Sequence, residues 1–170
     1  KENIAVVGHS RLGKTALLAG ATDERFDFSY SNDSGCSGAA IARGTAEGGE
    51  RVADICRNFP FWFCENYKKY CNNEDNMPFD QHYLVAAIAP RKVLIGSASE
   101  DLWADPAYEQ LCCFAASPAF QNGFVCPDRT AAIGEAFLAG DIGYHLRKGS
   151  HYFSRADWNR LIQFVNGHRI

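Results

Sequence analysis

The sequence predicts an α/β fold in which helices flank a mostly parallel sheet. Short apolar runs of strand length alternate along the chain with helix-forming stretches, an order typical of parallel strands joined by crossover helices. The chain has 170 residues, of which 46% are hydrophobic and 22% charged, so one domain can bury a sizeable core. We therefore expect a single α/β domain over residues 1–170.

The first predicted elements surround one turn. Residues 3–7 form a short apolar run that ends at Gly8, which predicts a buried strand. Residues 11–21 are helix-forming, and residues 26–31 are a second strand candidate that is closed by turn-forming residues. Residues 35–50 are rich in glycine and alanine, and we expect them to form a loop region.

Helices and strands continue through the rest of the chain. Pro90 marks the end of one predicted helix, because proline disfavours helical backbone in the residue before it. Pro106 marks the start of another, because proline fits the first helical turn. Ser154 is a helix-capping residue ahead of an apolar helical pattern. The expected helices are 50–70, 82–89, 106–116 and 155–166, and the expected strands are 92–97 and 142–147. Residues 117–138 give no clear signal.

The composition argues against some classes of partner. A formal net charge of −3 gives no reason to expect binding to nucleic acid or to an anionic membrane surface. No apolar run approaches the length of a membrane span. The chain opens without Met or a signal peptide and almost inside a strand, so we expect that its first residue is not the natural N-terminus. The compartment stays unassigned, with secretion or a periplasmic location favoured over the cell interior.

Seven cysteines are many for a chain of this length. Their spacings are irregular and contain no paired CxxC, so we expect no zinc site. Buried free thiols are the favoured interpretation, because cysteine packs as a small hydrophobic residue. One or two disulfides in an exported enzyme are the alternative, and the sequence does not decide between them.

One motif between the first strand and the first helix fits two patterns. Residues 8–15 read GHSRLGKT, which matches the phosphate-binding GxxxxGK[ST] loop. The same residues resemble a nucleophile elbow around Ser10, with glycine at −2 and at +3 rather than at +2. A strand, a turn and a helix in this order suit both patterns.

Physical detail favours the elbow. A phosphate loop wraps its ligand with successive backbone N–H groups, which is easiest with small residues, whereas this loop carries substantial side chains at its centre. Gly8 supplies the small residue that a strained turn needs before the nucleophile. A nucleotide hydrolase also needs a carboxylate after an apolar strand, and Asp33 follows a mostly polar segment. Ser10 is therefore the candidate nucleophile, and a nucleotide-binding loop is the less favoured alternative.

The other two members of a catalytic triad follow later strands. Asp101 comes just after the strand over 92–97, at the sheet edge where the elbow also lies. An acid at a helix start is the alternative for Asp101, although Asp105 before Pro106 fits that role better. His151 lies in a loop of small residues after the last strand, where a chain ordered serine, acid, histidine has its general base. This order predicts an α/β-hydrolase with a doubly wound, mostly parallel sheet flanked by helices.

The motifs together resemble the glucuronoyl esterases of carbohydrate esterase family 15, which carry a G-x-S-R-x-G-K-[AT] elbow. The residues that match this elbow are Gly8, Ser10, Arg11, Gly13 and Lys14. The similarity covers nearly the whole chain. The further matching segments are 33–40 with Arg43, 49–50, 58–60, 80–82, 89–91, 101–106 and 149–151.

The resemblance implies roles in catalysis. Ser10 would attack the ester carbonyl, His151 would be the general base, and Arg11 would contribute its side chain and its backbone N–H to the oxyanion hole. Family members place the triad acid either after the second strand, usually as Glu, or after the strand over 92–97. This chain has Asp33 at the first position and Asp101 at the second. We favour Asp101, because Asp33 is one methylene shorter than the usual Glu, and either or both are able to orient the imidazole.

The resemblance also implies substrate-binding residues. Lys14 and Glu50 would hold sugar hydroxyls, and Trp103 would lie against the uronate. Each has a simpler alternative: Lys14 as a solvated helix charge, Glu50 as a surface charge and Trp103 as a core residue. For the aromatic cluster over 59–67, packing is favoured over a sugar platform.

The resemblance implies a serine esterase that cleaves esters of 4-O-methyl-glucuronic acid, the links between xylan and lignin alcohols, through an acyl-enzyme on Ser10. It implies no cofactor and no metal. Another carbohydrate esterase, such as an acetyl-xylan esterase, is the nearest alternative, and a fragment that only binds polysaccharide is a further one. About four strands are predicted where a complete hydrolase sheet needs more. We therefore expect a C-terminal portion of the domain, whose partner is the remainder of that domain.

Overall fold

Residues 3–168 are described by a computed structural model, and they form one five-stranded sheet between layers of helices. The strands are β1 (Ala5–His9), β2 (Phe28–Asn32), β3 (Lys92–Ala98), β4 (Ala136–Phe137) and β5 (Ile142–Arg147). Their order in the sheet is β1-β2-β3-β5-β4. Strands β1, β2, β3 and β5 are parallel, and β4 pairs antiparallel with β5. The sheet is therefore mostly parallel, as predicted.

Within residues 3–168, six α-helices connect and cover the strands. They are α1 (Arg11–Thr22), α2 (Val52–Asn58), α3 (Glu65–Lys68), α4 (Gln81–Ala86), α5 (Pro106–Ala116) and α6 (Arg155–Gly167). Short 3₁₀ turns lie at Glu74–Asn76, Leu102–Ala104 and Ser117–Ala119. The expected elements are present within three residues of their predicted bounds, with one exception.

The expectation of a single helix over 50–70 is wrong. Helix α2 ends at Asn58, and α3 begins only at Glu65. Pro60 lies between them, and proline both lacks a backbone N–H and disfavours helical backbone in the residue before it. Phe59, the residue before the proline, accordingly has φ −132° and ψ 62°, outside the helical region.

The core has a layer on each face of the sheet, because successive strand residues point to opposite sides. Val93 and Ile95 of β3 pack in a buried cluster with side chains from α1, α4 and α5. Leu94, between them, packs on the other face with Leu161 and Phe164 of α6. Burying one such side chain contributes about 1.5–3 kcal/mol, so both faces of the central strand stabilise the fold.

A third, smaller cluster supports the long segment between β2 and β3. Val52 and Ile55 of α2 are buried together with Cys36 and Met77. This packing anchors the chain on both sides of α2 independently of the sheet.

The loops after four strands are tied to one another at the carboxyl edge of the sheet. The backbone N–H of Ser10 donates to the carbonyl of Asn32 at 2.8 Å, and that of Asp33 donates to Gly96 at 2.7 Å. The N–H groups of residues 99 and 100 donate to the carbonyls of residues 147 and 149, both at 2.9 Å. Sheet-like hydrogen bonding thus continues beyond the strands and fixes the loops that carry Ser10, Asp33, Asp101 and His151.

Among residues 3–168, no helix combines the length and the apolarity needed to cross a membrane. The seven cysteines are free thiols, and four of them are buried, as in the favoured interpretation of the sequence.

Candidate active site

Ser10 lies in a strained turn between β1 and α1. Its φ of 59° and ψ of −128° form a backbone conformation that non-glycine residues rarely adopt. A Cβ at Gly8 would lie 1.9 Å from the carbonyl oxygen of Leu12, and a Cβ at Gly13 would lie 2.9 Å from the Cβ of Ser34. The turn therefore requires glycine at −2 and at +3, which explains the spacing seen in the sequence.

His151 and Asp101 are joined by a short hydrogen bond. The imidazole Nδ1 lies 2.6 Å from Oδ2 of Asp101. A carboxylate offers only acceptors, so Nδ1 carries the proton and Nε2 is left free to accept one. Asp101 is 7% exposed, whereas the His151 side chain is 46% exposed. This is the arrangement of a general base that a buried acid orients.

A second histidine packs against His151. The ring centroids of His9 and His151 are 4.5 Å apart, and Nδ1 of His9 lies 2.8 Å from Oδ1 of Asn32. Burial lowers the pKa of His9 below its ordinary value, an effect that the hydrogen bond with Asn32 opposes. His9 thus limits the space in which the His151 ring can turn, a role that the sequence did not reveal.

Asp33 lies near the imidazole but bonds elsewhere. Asp33, Asp101 and His151 each offer one polar side-chain atom, and these atoms lie within 4.8 Å of one another. Oδ2 of Asp33 accepts from the guanidinium of Arg147 at 3.0 Å, and Oδ1 is buried without a partner. The pKa of Asp33 is raised to about 8, chiefly by burial and also by nearby Glu109, whereas Arg147 opposes both effects.

The same three residues are the group that could hold a metal ion among residues 3–168. Two of them already share a hydrogen bond, and the third faces a guanidinium. A divalent cation there would meet the positive charge of Arg147 at close range, which disfavours binding.

Glu109 is a buried residue that the sequence analysis missed. Its Oε1 accepts from the backbone N–H groups of Ser34 and Gly35, both at 2.9 Å. Its Oε2 accepts from the hydroxyl of Ser97 at 2.6 Å, and burial raises the pKa of Glu109 to about 7. Glu109 therefore holds the turn after β2 in place. The sequence feature that could have identified Glu109 is the presence of an acidic residue within the largely apolar helix α5.

A cavity of about 320 Å³ lies beside Ser10 and His151. Lys14, Glu50 and Trp103 all line it, together with both candidate acids. The residues that line it are Ser10, Lys14, Asp33, Ser34, Gly35, Glu50, Phe59, Trp62, Asp101, Trp103, Ala104 and His151. Seven of the eight candidate site residues thus share one cavity. The side chain of the eighth, Arg11, borders a neighbouring groove with Leu12 and Trp62.

The three candidate binding residues have distinct environments. The ammonium of Lys14 donates to the carbonyls of Ser34 and Cys36, the second at 2.5 Å, and desolvation lowers its pKa. Glu50 is 7% exposed, so the alternative of a surface charge is wrong. Burial raises the pKa of Glu50, whereas Lys14 lowers it. Trp103 is 48% exposed, so it is not a core residue.

Two members of the aromatic cluster also line the cavity. The rings of Phe59 and Trp62 stack with centroids 4.0 Å apart and 13° between their planes, and each is 38% exposed. In contrast, Phe63 and Tyr67 pack against the small cluster around α2. The aromatic residues therefore divide between packing and the cavity wall.

An elbow serine, a histidine paired with an acid and a mostly parallel sheet are features of the α/β-hydrolase fold. A family model described as glucuronyl esterase of fungi matches residues 1–122. The chain belongs to this glucuronoyl esterase family, as the sequence motifs predicted.

Relatives support the same assignment. The carbohydrate esterase MZ0003, from an unknown prokaryotic organism, is 44% identical over 98% of this chain and 39% of its own length. The 4-O-methyl-glucuronoyl methylesterase 1 of Phanerochaete chrysosporium is 32% identical over 70% of this chain and 26% of its own. A promiscuous family 15 esterase from a marine bacterial metagenome superposes with a TM-score of 0.91 at 45% identity, over 96% of this chain and 41% of that one. This chain thus spans about two fifths or less of each relative's length.

Substituting each candidate acid separates their roles. Asp101→Asn should lower kcat for ester hydrolysis by roughly 10³–10⁴-fold, because asparagine no longer stabilises the imidazolium or its tautomer. Asp33→Asn should cost less than about 10-fold, because the amide oxygen still accepts from Arg147. Steady-state kinetics of both variants, made in a chain extended to the length of the relatives, give the comparison, and a larger loss for Asp33→Asn would reverse the assignment.

The buried acid on α5 predicts a pH dependence of stability. The pKa of Glu109 rises from 4.5 to about 7 on folding, so the folded protein keeps a proton that the unfolded chain releases. The protonated Glu109 side chain stabilises the folded protein fully at a pH below the pKa of the unfolded chain. This stabilisation is lost as the pH rises through the pKa of the folded protein. Glu109→Gln should therefore make the free energy of unfolding less steep in pH between about 5 and 8, by up to ~1.4 kcal/mol per pH unit. Urea titrations of a chain extended to the length of the relatives measure this slope, with exposed Glu100→Gln as the control. Equal slopes for Glu109→Gln and wild type would show that Glu109 folds ionised.

Proposed function

We propose that this chain carries the catalytic machinery of an esterase that hydrolyses esters of 4-O-methyl-glucuronic acid, including those between xylan and lignin alcohols. The observation that carries the proposal is the pair of Asp101 and His151, 2.6 Å apart, at a cavity that Ser10 also lines. Membership of the glucuronoyl esterase family and the name of the Phanerochaete relative support the choice of substrate.

The geometry suits acyl transfer in two halves. Ser10 Oγ attacks the ester carbonyl while Nε2 of His151 accepts its proton, and the proton then passes to the departing alcohol. Water attacks the glucuronoyl-Ser10 ester with His151 again as base, which releases the uronic acid and restores the serine. The backbone N–H of Arg11 opens α1 and has no partner within the helix, so it is suited to stabilise the developing oxyanion.

The cavity has spare hydrogen-bonding capacity that suits a sugar. An ammonium group has three donors, and Lys14 uses two of them on the carbonyls of Ser34 and Cys36, which leaves one for a hydroxyl. Oε1 of Glu50 is buried without a partner, so a sugar hydroxyl would satisfy it. The exposed indole of Trp103 supplies an apolar face in the same cavity.

Replacing the nucleophile tests the proposed reaction. In a chain extended by the preceding region of the domain, Ser10→Ala should lower turnover of benzyl glucuronate by roughly 10⁴-fold or more, since the acyl intermediate forms on Ser10. Thr15→Ala removes an exposed hydroxyl from the same helix and should leave turnover unchanged. Acetylated xylan run in parallel tests the alternative: a preference for the acetyl ester would overturn the proposed substrate.

We also propose that the 170 residues act as the C-terminal portion of one hydrolase domain, and that the remainder of that domain completes the active enzyme. The relatives are more than twice as long as the region they share with this chain. Within residues 3–168, β1 pairs on one side only, with β2. Leu12 and Leu18 of α1 are 58% and 55% exposed, as expected of a surface that another part of a domain covers.

A comparison of two chain lengths tests this division. The 170-residue chain should show negligible turnover of benzyl glucuronate and broad thermal unfolding, because an open strand edge and apolar surface favour aggregation. A chain extended by the preceding region of the domain should be soluble and active. Full activity and a sharp unfolding transition in the 170-residue chain would contradict the proposal.

A further inference from the structure

Arg147 is a buried cation that the proposed reaction does not use directly. It is the last residue of β5, and its side chain is 8% exposed. Its Nε donates to both carboxylate oxygens of Asp157, at 3.0 and 2.9 Å, and Nη2 donates to Asp33 at 3.0 Å. Both carboxylates have fully buried side chains. Arg147 therefore lies fixed between two buried carboxyl groups below the catalytic loop.

The same guanidinium bonds to the backbone on both sides of His151. Nη2 donates to the carbonyl of Ser150 at 3.1 Å and to the carbonyl of Tyr152. The ring of Tyr152 covers the guanidinium, whose carbon lies 4.1 Å from the ring centroid. Gly149 makes this fold possible, because it has φ 120° and a Cβ there would lie 2.5 Å from the Tyr152 hydroxyl.

These contacts explain how a half-exposed loop can hold a general base. His151 has one side-chain hydrogen bond, to Asp101, and its loop has few buried contacts of its own. Two carbonyls bound to a single rigid guanidinium fix the backbone on either side of the imidazole. The planar group offers several donors in fixed directions, which a lysine ammonium cannot reproduce.

We propose that Arg147 is a positioning residue for His151, and that Asp33 serves the reaction through Arg147 rather than as a partner of the imidazole. Asp33 and Asp157 hold the guanidinium in place, and the guanidinium holds the loop. This role gives the shorter side chain at position 33 a function, because Asp33 reaches Arg147 without reaching His151. The inference rests on the proposed serine mechanism but not on the identity of the acid in the ester.

The test compares two buried ion pairs at opposite ends of the sheet. Arg147→Lys keeps the positive charge but loses the planar set of N–H donors. Lys92 lies at the start of β3, and Lys92→Met removes the ion-pair partner of buried Asp141. Both variants are made in the chain extended by the preceding region of the domain, and the readouts are thermal unfolding together with kcat and KM for benzyl glucuronate and p-nitrophenyl acetate. The second ester needs an activated Ser10 but no uronate site, so wild-type hydrolysis of it alone would reject the proposed substrate and leave this test valid.

We expect Arg147→Lys to lower kcat for both esters by roughly 30- to 100-fold with KM within about threefold, as for a misplaced catalytic group. Lys92→Met should lower the unfolding temperature but keep kcat. A folded Arg147→Lys protein with wild-type kcat would overturn the proposal, since the loss would then be structural only.

A second variant decides the matter if Arg147→Lys does not fold. Tyr152→Leu removes the ring over the guanidinium without touching a buried charge, and Tyr152 is 47% exposed and outside the cavity lining. We expect kcat to fall roughly 3- to 10-fold with KM unchanged. An unchanged kcat in this variant would contradict the role of the Arg147 contacts.

Discussion

The close approach of helix α1 to strand β2 is the constraint on which the site depends. A Cβ at Gly20 would lie 1.9 Å from the hydroxyl of Ser29, and Gly13 has no room for a side chain either. Interiors pack too densely for such contacts to relax cheaply. Helix α1 therefore packs at a short, fixed distance from β2, and it begins directly after the strained Ser10. The turn, the nucleophile and the first free N–H groups of α1 are thus positioned by one packing requirement.

Buried ionisable groups are the second organising feature of the molecule. Asp33, Glu109 and Asp157 lie below the catalytic edge, and Arg147 is the cation between two of them. Burying carboxyl and guanidinium groups is costly unless each has hydrogen-bond partners, and here many of the partners are backbone and hydroxyl groups of the catalytic loops. These buried groups hold in place loops that have little apolar packing of their own. Lys14 and Glu50 repeat this pattern on the substrate side of the cavity.

Much of the fold could be predicted because its signals are local. Strand β3 has a continuous apolar run at its centre, and α6 begins at a capping box made by Ser154 and Asp157. The helix expected over 50–70 is interrupted at Pro60. The proline is itself a local signal for the end of a helix, but the helical pattern of the surrounding residues led to the prediction of one continuous helix. Strand β4 has only two residues and exists through its pairing with β5, so no local pattern reveals it.

The site was predictable in its members but not in its contacts. Order and position along the chain were enough to select Ser10, Asp101 and His151, which the structure brings to one cavity edge. The hydrogen-bond partner of Asp33 could not be predicted from the sequence, because Asp33 bonds to Arg147, which lies more than 100 positions away along the chain. Arg147 and Asp157 look like ordinary surface charges in sequence, at a strand end and in a first helical turn.

The central claim is that Ser10 is a nucleophile activated by His151, and a covalent probe tests it most directly. An alkyl fluorophosphonate transfers its phosphonyl group to an activated serine oxygen with loss of fluoride. Peptide mass spectrometry of the extended chain after this reaction should find one adduct, on the peptide that contains Ser10, and denatured protein should give none. Modification of a different serine, or turnover that survives complete modification of Ser10, would contradict the account.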